Sequence, residues 1–389
     1  MTTSNLSSTF NQSSTTAAFL YSILATAGLF YVNLGGVFLS ALVDGLGFER
    51  DVAGFIVSAN KYGAAFGALI AAFIVKKIEW RKAARILLFG LLAMDLISTQ
   101  FTDSQSLLII RFIHGSIGGM SVGIGLSIIA RTYNPDRVFG MLLAVQYTFG
   151  SIGILLVPRL EDSLGINALF GALICFTIMT LAILPFIPNV DSPSDPEQTS
   201  SNIFKIPMTG LLFLVLCCLF LFQAANMGVA DYAFELGKDI GLEKKKISNL
   251  LTAANFISIL GGVLVYIIGV KYGRTTPLIL GIATSAIFTY LLHFSDNVYI
   301  YFIANAVTGI AWGFTIPYLL GLCSTFDSYG QMAALAGFVS KLGLASGPLV
   351  GALFIMTKGF SFIINIGTAA LFCAMIFVTY VGYMRKDNK

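Results

Sequence analysis

The side chains of this 389-residue chain that are able to do chemistry are ionisable groups set inside long apolar stretches. Arg111 and His114 stand three residues apart, about one helical turn, and glycines follow them. Lys61 and Lys341 each lie about nine or ten residues inside an apolar stretch, roughly 14–15 Å along a helix. A charge at such a depth in a membrane costs roughly 2.5–3.5 kcal/mol, so these residues are candidates for binding a solute or a proton.

Arg111 and His114 each have two interpretations. Arg111 lies about five residues, roughly 7.5 Å, from the outer end of its apolar stretch. It is either a cation at a water-filled cavity, where it binds an anion or influences a proton site, or a side chain that extends to the membrane interface or braces a loop. His114 either titrates near neutral pH or, as a neutral ring, only donates a hydrogen bond.

Carboxylates that could pair with these cations are few. Asp95, in the third apolar stretch, is expected to be structural, whereas Asp231 and Glu235 lie toward the end of the seventh. There they either end a helix at the surface or act as proton or gate carboxylates. Because the three basic residues outnumber the acids near mid-membrane, we predict an anionic or zwitterionic solute.

Neutral polar and aromatic residues in the apolar stretches complete the candidate site. These are Asn33, Gln146, Tyr147, Gln223, Asn226, Asn255, Asn305 and Trp312. One such residue is as able to bridge two helices as to contact a solute, so the prediction depends on the set. The sequence has no phosphate-binding G-x-x-x-x-G-K-[ST] motif and no metal-ligand spacing, so we predict neither an enzyme nor a bound cofactor or metal.

The composition indicates what positions these residues. Hydrophobic residues make up 57% and charged residues 11% of the chain, against roughly 25% charged in soluble domains. This excludes an ordinary soluble enzyme, a nucleic-acid-binding protein and a disordered chain, and predicts an all-α polytopic membrane protein. Twelve apolar stretches are predicted to span the membrane: 17–43, 52–75, 84–100, 106–130, 138–159, 166–187, 208–235, 247–269, 276–293, 298–323, 331–356 and 360–384.

The polar intervals predict the domain organisation. Residues 1–16 are expected to be a disordered cytosolic tail, and 188–207, rich in Pro, Ser and acids, a cytosolic linker. Six-helix bundles would then occupy 17–187 and 208–384, before a short tail at 385–389. With both termini inside, 13 Lys or Arg face the cytoplasm and 7 face outside, which favours this orientation despite the basic run 244–246.

The two halves also show a weak internal repeat. A shift of 194 positions places Gly47 on Gly241 and Glu49 on Glu243, and it aligns several further glycines. Two six-helix halves related in this way have the same orientation in the membrane. Such parallel repeats are typical of alternating-access transporters, whose sites lie between the halves near mid-membrane.

In these features the chain resembles the major facilitator superfamily over nearly its whole length. Arg111, His114 and Gly115 are similar to the fourth-span pattern of that family, with His114 in place of the usual Gln. The resemblance implies a coupling role for Arg111, and a central cavity lined by spans one, four, seven and ten, with spans two and eleven beside it.

Two loops resemble the basic loop motif of the same family. Lys77 and Arg81 follow the second span, and Lys271, Gly273 and Arg274 follow the eighth. The acidic residue of the motif is missing from both loops. The resemblance implies a role in gating, and the alternative is anchoring by positive charge on the cytoplasmic side.

Together these observations predict a secondary active transporter of a small organic solute, with protons as the coupling ion. It would be a monomer in a plasma membrane, the bacterial inner membrane, with no nucleic-acid partner. One alternative is a proton-antiporting exporter of drugs, siderophores or metabolites, whose cavity would suit the 33 Phe residues. Another is a non-transporting membrane receptor, which would normally carry a large soluble output domain.

Overall fold

The structure is a computed structural model that describes residues 14–75, 78–132, 135–189, 210–326 and 331–386. Within these ranges the chain forms helices and no strand. Most of the two predicted tails and of the linker at 188–207 lies outside the described residues, as does Lys77.

Helices occupy the six predicted stretches of the first half. The first stretch is broken into three helices because residues around 28 and 34 leave the regular helical path. The helices of this half are α1 Thr15–Ala27, α2 Phe30–Asn33, α3 Gly35–Leu46, α4 Arg50–Ile74, α5 Trp80–Ser98, α6 Ser104–Ala130, α7 Pro135–Leu164 and α8 Asn167–Ile183.

Helices also occupy the six stretches of the second half. They are α9 Gly210–Ala230, α10 Ala233–Asp239, α11 Lys244–Ile257, α12 Ile259–Ile268, α13 Thr275–Leu291, α14 Val298–Cys323 and α15 Gln331–Lys386. Gly359 interrupts α15 with a φ of 69° and a ψ of −173°, so its two arms correspond to predicted stretches eleven and twelve.

By length and hydropathy, nine helices in the described part of the chain are able to cross a membrane. One of them, Leu335–Met384, contains the break at Gly359, while α1 and α3 are shorter apolar helices. The chain is thus a multi-pass integral membrane protein, and the number of twelve crossings stays a prediction.

The predicted repeat corresponds to repeated packing. A Cβ on Gly67 would lie 1.9 Å from the carbonyl oxygen of Ser116, and one on Gly261 would lie 2.3 Å from that of Ile310. The same shift of 194 positions relates both pairs. Glycine therefore permits the same close helix contact in each half, α4 on α6 and α12 on α14.

The two halves meet along two seams. At the first seam α4 packs on the first arm of α15, where Ser58 donates a hydrogen bond of 2.7 Å to the carbonyl of Ala345. At the second seam α7 packs on α11 and α12, and Asn255 donates to the carbonyl of Tyr147 at 3.1 Å. The candidate site lies between these seams.

Candidate functional site between the two halves

A buried ion pair joins the two halves. Lys61 on α4 donates to a carboxylate oxygen of Asp231, which lies in the turn between α9 and α10. Both side chains are 2% exposed. Removing either partner would leave a buried charge without its counter-ion, so each depends on the other.

Gly35, the first residue of α3, makes room for this pair. A Cβ at position 35 would lie 2.0 Å from one carboxylate oxygen of Asp231 and 3.3 Å from the Lys61 nitrogen. Any side chain at position 35 would therefore displace the ion pair.

A small cavity lies beside the pair. It is lined by Leu29, Tyr31, Val32, Lys61, Ala64, Lys341 and Leu344. Lys341 has no hydrogen-bond or ion-pair partner among the residues that the structure describes. The buried hydroxyl of Tyr31 likewise lacks a partner within the described ranges. The cavity thus brings together predicted Lys341 with Tyr31, which the sequence analysis missed because an isolated Tyr in an apolar stretch carries no signal.

A row of polar and aromatic side chains crosses from the first half to the second. The ring of Tyr147 meets the indole of Trp312 edge-on, with centroids 6.5 Å apart. The indole nitrogen of Trp312 donates to the amide oxygen of Gln223 at 2.7 Å, and the amide nitrogen of Gln223 donates to Ser340 at 2.6 Å. Ser340 precedes Lys341 in the chain, so the row ends beside this lysine.

Three more predicted residues lie at the inner faces of the helices. Asn255 also donates to the hydroxyl of Ser151 at 2.9 Å across the second seam. Asn33 donates to the backbone carbonyl of Gln146 at 3.3 Å, which ties α2 to α7. In this structure these groups bridge helices.

Asn226 and Asn305 are placed differently. Asn226 is buried within the second half, where it donates to the carbonyl of Phe222 and accepts from Ser285. Asn305 donates to the carbonyl of Tyr301 on its own helix. Neither residue lines the cavity beside Lys61.

Arg111 does not line this cavity, which corrects the interpretation of Arg111 as a cation at a water-filled cavity. Its guanidinium donates to Asp95 at 2.9 Å and to the hydroxyl of Ser98, and it lies 5.1 Å from the ring centroid of Phe170. Arg111 is fully buried inside the first half, because α5 presents Asp95 to the face of α6 that carries it.

His114 belongs to the same cluster as Arg111. Its Nε2 atom lies 3.3 Å from Asp95, and its ring meets Tyr31 edge-on with centroids 5.6 Å apart. Lys61 and Arg111 therefore have carboxylate partners, and of the three predicted cations only Lys341 lacks one among the residues that the structure describes.

The two basic loops contact their own halves. Arg81 donates to the carbonyl of Pro185 at 3.2 Å and to the side chain of Asn189 at 2.9 Å, next to the end of α8. Arg274 lies against Gly321 of α14. Lys271 lies over the ring of Tyr272, and Gly273 has a φ of 69°. These contacts fit anchoring, and the gating role stays a prediction.

An ionic cluster connects the halves at one end, and of its members the sequence indicated only Glu235, as a possible gate carboxylate. This end is opposite the one where α1 begins. Among its contacts are Arg50 to Glu235 at 3.1 Å, Lys238 to Asp44 at 2.7 Å and Lys244 to Glu161 at 2.7 Å. The distal cluster consists of Asp44, Arg50, Glu161, Glu235, Lys238, Asp239 and Lys244.

The distal cluster accounts for the basic run 244–246, which does not fit the charge bias of the topology. Lys244 bonds to Asp44 and Glu161, and Lys245 lies 3.4 Å from Asp162. The opposite charges of Asp44 and Lys238, whose positions the 194-residue shift relates, were the available signal.

Comparisons with known proteins agree with this architecture. The profile of the Major Facilitator Superfamily matches residues 18–237, and that of the family described as "Sugar (and other) transporter" matches 224–381. The crystal structure of a mutant of the nucleoside transporter NupG is similar, with a TM-score of 0.76 and 11% identity; the match covers 95% of this chain and 99% of that one. A comparison with curated proteins found no match. The first profile matches more than half of this chain, and the chain therefore belongs to the Major Facilitator Superfamily.

Proposed function

We propose that this protein is a secondary active transporter that moves a small organic solute with an anionic group, coupled to protons. The observation that carries the proposal is the buried Lys61–Asp231 pair, which joins the two halves beside a cavity that also holds Lys341. A contact between the halves must break and re-form if access alternates between the two sides of the membrane.

Lys341 is proposed to bind the anionic group of the solute. An ammonium group near mid-membrane needs a counter-ion, and the described residues supply none. The predicted preference for an anion or zwitterion therefore depends on this one lysine, since Lys61 and Arg111 have carboxylate partners.

Asp231 is proposed to carry the coupling proton. When a proton binds to the Asp231 carboxylate, Lys61 loses its counter-ion and the two side chains are able to separate. Breaking a buried pair with neither a proton nor a solute in place costs about 3–5 kcal/mol. A proton that moves down a membrane potential releases about 2.3 kcal/mol per 100 mV, and this free energy is available to drive uptake.

The distal cluster is proposed to close the outer end of the solute pathway. With both termini in the cytoplasm of the bacterial inner membrane, the distal cluster faces outside, and residues 188–207 connect the halves inside. Opening to the outside then requires its ion pairs to separate.

A second candidate solute is a neutral ring compound such as a nucleoside or sugar. The row Tyr147–Trp312–Gln223–Ser340 offers an aromatic face with hydrogen-bonding groups beside it. The similar solved structure is named as a nucleoside transporter, and the second family profile is named for sugars.

The test starts with a thermal-shift screen of carboxylates, amino acids, nucleosides and sugars on the purified protein, followed by uptake of the hit into proteoliposomes. We expect an anionic hit and accumulation driven by an imposed pH gradient. Lys341→Gln should weaken uptake at least about tenfold, and the control Lys358→Gln, near the break in α15, should leave it unchanged. If Lys341→Gln transports like the wild type, or the hit is neutral, Lys341 is not the anion site.

A further inference from the structure

We propose that His114 is a positioning residue, held as the neutral tautomer with its hydrogen on Nε2, that links Asp95 to Asn60 and so fixes α4 where Lys61 projects. This inference rests on the proposed role of the Lys61–Asp231 pair. Of the two interpretations that the sequence left open for His114, this proposal favours the neutral ring that only forms hydrogen bonds.

The polar neighbours of the two ring nitrogens indicate the tautomer. The side-chain nitrogen of Asn60 lies 3.2 Å from Nδ1 of His114. An amide nitrogen only donates, so Nδ1 accepts and carries no hydrogen. The hydrogen is then on Nε2, which lies 3.3 Å from the Asp95 carboxylate and faces it as a donor faces an acceptor. Reversing the Asn60 amide would move the hydrogen to Nδ1 and set a bare Nε2 against a carboxylate, two acceptors facing each other.

The surrounding charges also keep the ring neutral. The titratable groups around His114 are Arg111 on its own helix, Asp95 from α5, Tyr31 from α2 and Lys61, next to Asn60 on α4. Arg111 already pairs with Asp95, and Lys61 with Asp231. A second hydrogen on the ring would add a buried positive charge that no further carboxylate of the described residues around the ring balances.

Asn60 connects the ring to the coupling pair. Its backbone carbonyl packs directly on Gly115, where a Cβ would lie 1.8 Å from the oxygen. The side chain of Asn60 is held by His114, and Lys61 is the next residue of α4. His114 and Gly115 together therefore fix the depth and rotation of the helical turn that carries Lys61.

Two substitutions of His114 distinguish the effect of its hydrogen bonds from the effect of the volume that its side chain fills. Gln is able to donate to Asp95 and accept from Asn60 at the same time, whereas Leu fills the volume but makes neither bond. We expect His114→Gln to keep the wild-type pH profile of gradient-driven uptake. His114→Leu should lower gradient-driven uptake roughly tenfold more than it lowers solute exchange at equal pH.

The chain has only two His residues, so the tautomer can be observed directly. His293→Gln leaves His114 as the single histidine, and ¹⁵N-labelled histidine in liposomes then reports its ring by solid-state NMR. We expect one neutral spectrum with the hydrogen on Nε2 between pH 5 and 9. An imidazolium spectrum, or a hydrogen on Nδ1, would overturn the proposal, as would a His114→Leu variant that matches His114→Gln in both transport assays. The NMR result does not depend on transport, so a wild-type protein without proton-driven uptake would refute the proposed function separately.

Discussion

Asp44 and Lys238 occupy equivalent positions in the two halves and bond to each other, with 2.7 Å between the carboxylate oxygen and the ammonium nitrogen. The shift that relates them is 194 residues. Arg50 and Lys244 are equivalent in the same way, and each reaches across to acids of the opposite half. The distal cluster thus includes two pairs of equivalent positions: Asp44 and Lys238 carry opposite charges and bond to each other, whereas Arg50 and Lys244 are both basic and each bonds to acids of the opposite half.

Removing Asp44 should open the distal end. Asp44→Asn removes a partner from both Lys238 and Lys244. Because exposed pairs contribute about 0–1 kcal/mol each, this loss should favour the state that is open at the distal end without unfolding the protein. Spin labels at Glu49 and Glu243 in a cysteine-free background should show longer distances. Asp162→Asn, which removes one exposed pair, is the control. Unchanged distances in Asp44→Asn would show that the distal cluster does not hold this end closed.

Gly35→Ala should disrupt the central pair. The added Cβ would lie 2.0 Å from an oxygen of Asp231, so the carboxylate must move away from Lys61. We expect a loss of about 1–3 kcal/mol of stability and a loss of gradient-driven uptake. Gly171→Ala is the matched control, because its Cβ would meet no atom within 4 Å. Equal uptake by both variants would contradict the packing argument.

Lys61 and Asp231 should show strong coupling in thermal unfolding. Lys61→Met or Asp231→Asn alone leaves one buried group without its partner, at a cost of about 3–5 kcal/mol. The double variant leaves no unpaired charge and should unfold at a higher temperature than either single variant. Simple addition of the two losses would show that the pair is not formed in the protein.

Substitutions of Arg111 and Lys341 should affect different properties, the stability of the protein for Arg111 and solute binding for Lys341. Arg111→Gln leaves Asp95 buried without its main partner, so it should lower the unfolding temperature and leave solute affinity unchanged. Lys341→Gln should do the reverse, because its ammonium has no partner in the described ranges. The thermal-shift assay measures both the unfolding temperature and the solute affinity. A loss of affinity in Arg111→Gln would show that Arg111 contributes to solute binding.

The helices and the repeat could be predicted from the sequence. Long apolar stretches reflect what the bilayer requires of a helix, and aligned glycines reflect what close helix packing requires. Gly67 and Gly261 illustrate this, since the equivalence read from the sequence reappears as the same contact in each half.

The pairing of charges was not predictable in the same way. Lys61 and Asp231 are 170 residues apart, and only the packing of the two halves brings them together. The position of Arg111 was left open because apolar residues occur all around α6 and give no sign of which face meets the cavity. Its partner Asp95 is 16 residues away on another helix.

The central claim is that Asp231 carries the coupling proton, and proton-driven uptake by Asp231→Asn tests it most directly. The amide resembles a permanently protonated carboxyl group, so solute exchange at equal pH on both sides should continue. Accumulation driven by a pH gradient should disappear, while Asp296→Asn, at an exposed loop position, should accumulate solute like the wild type. If Asp231→Asn still accumulates solute against its gradient when only the pH differs, the proton binds elsewhere and the account is wrong.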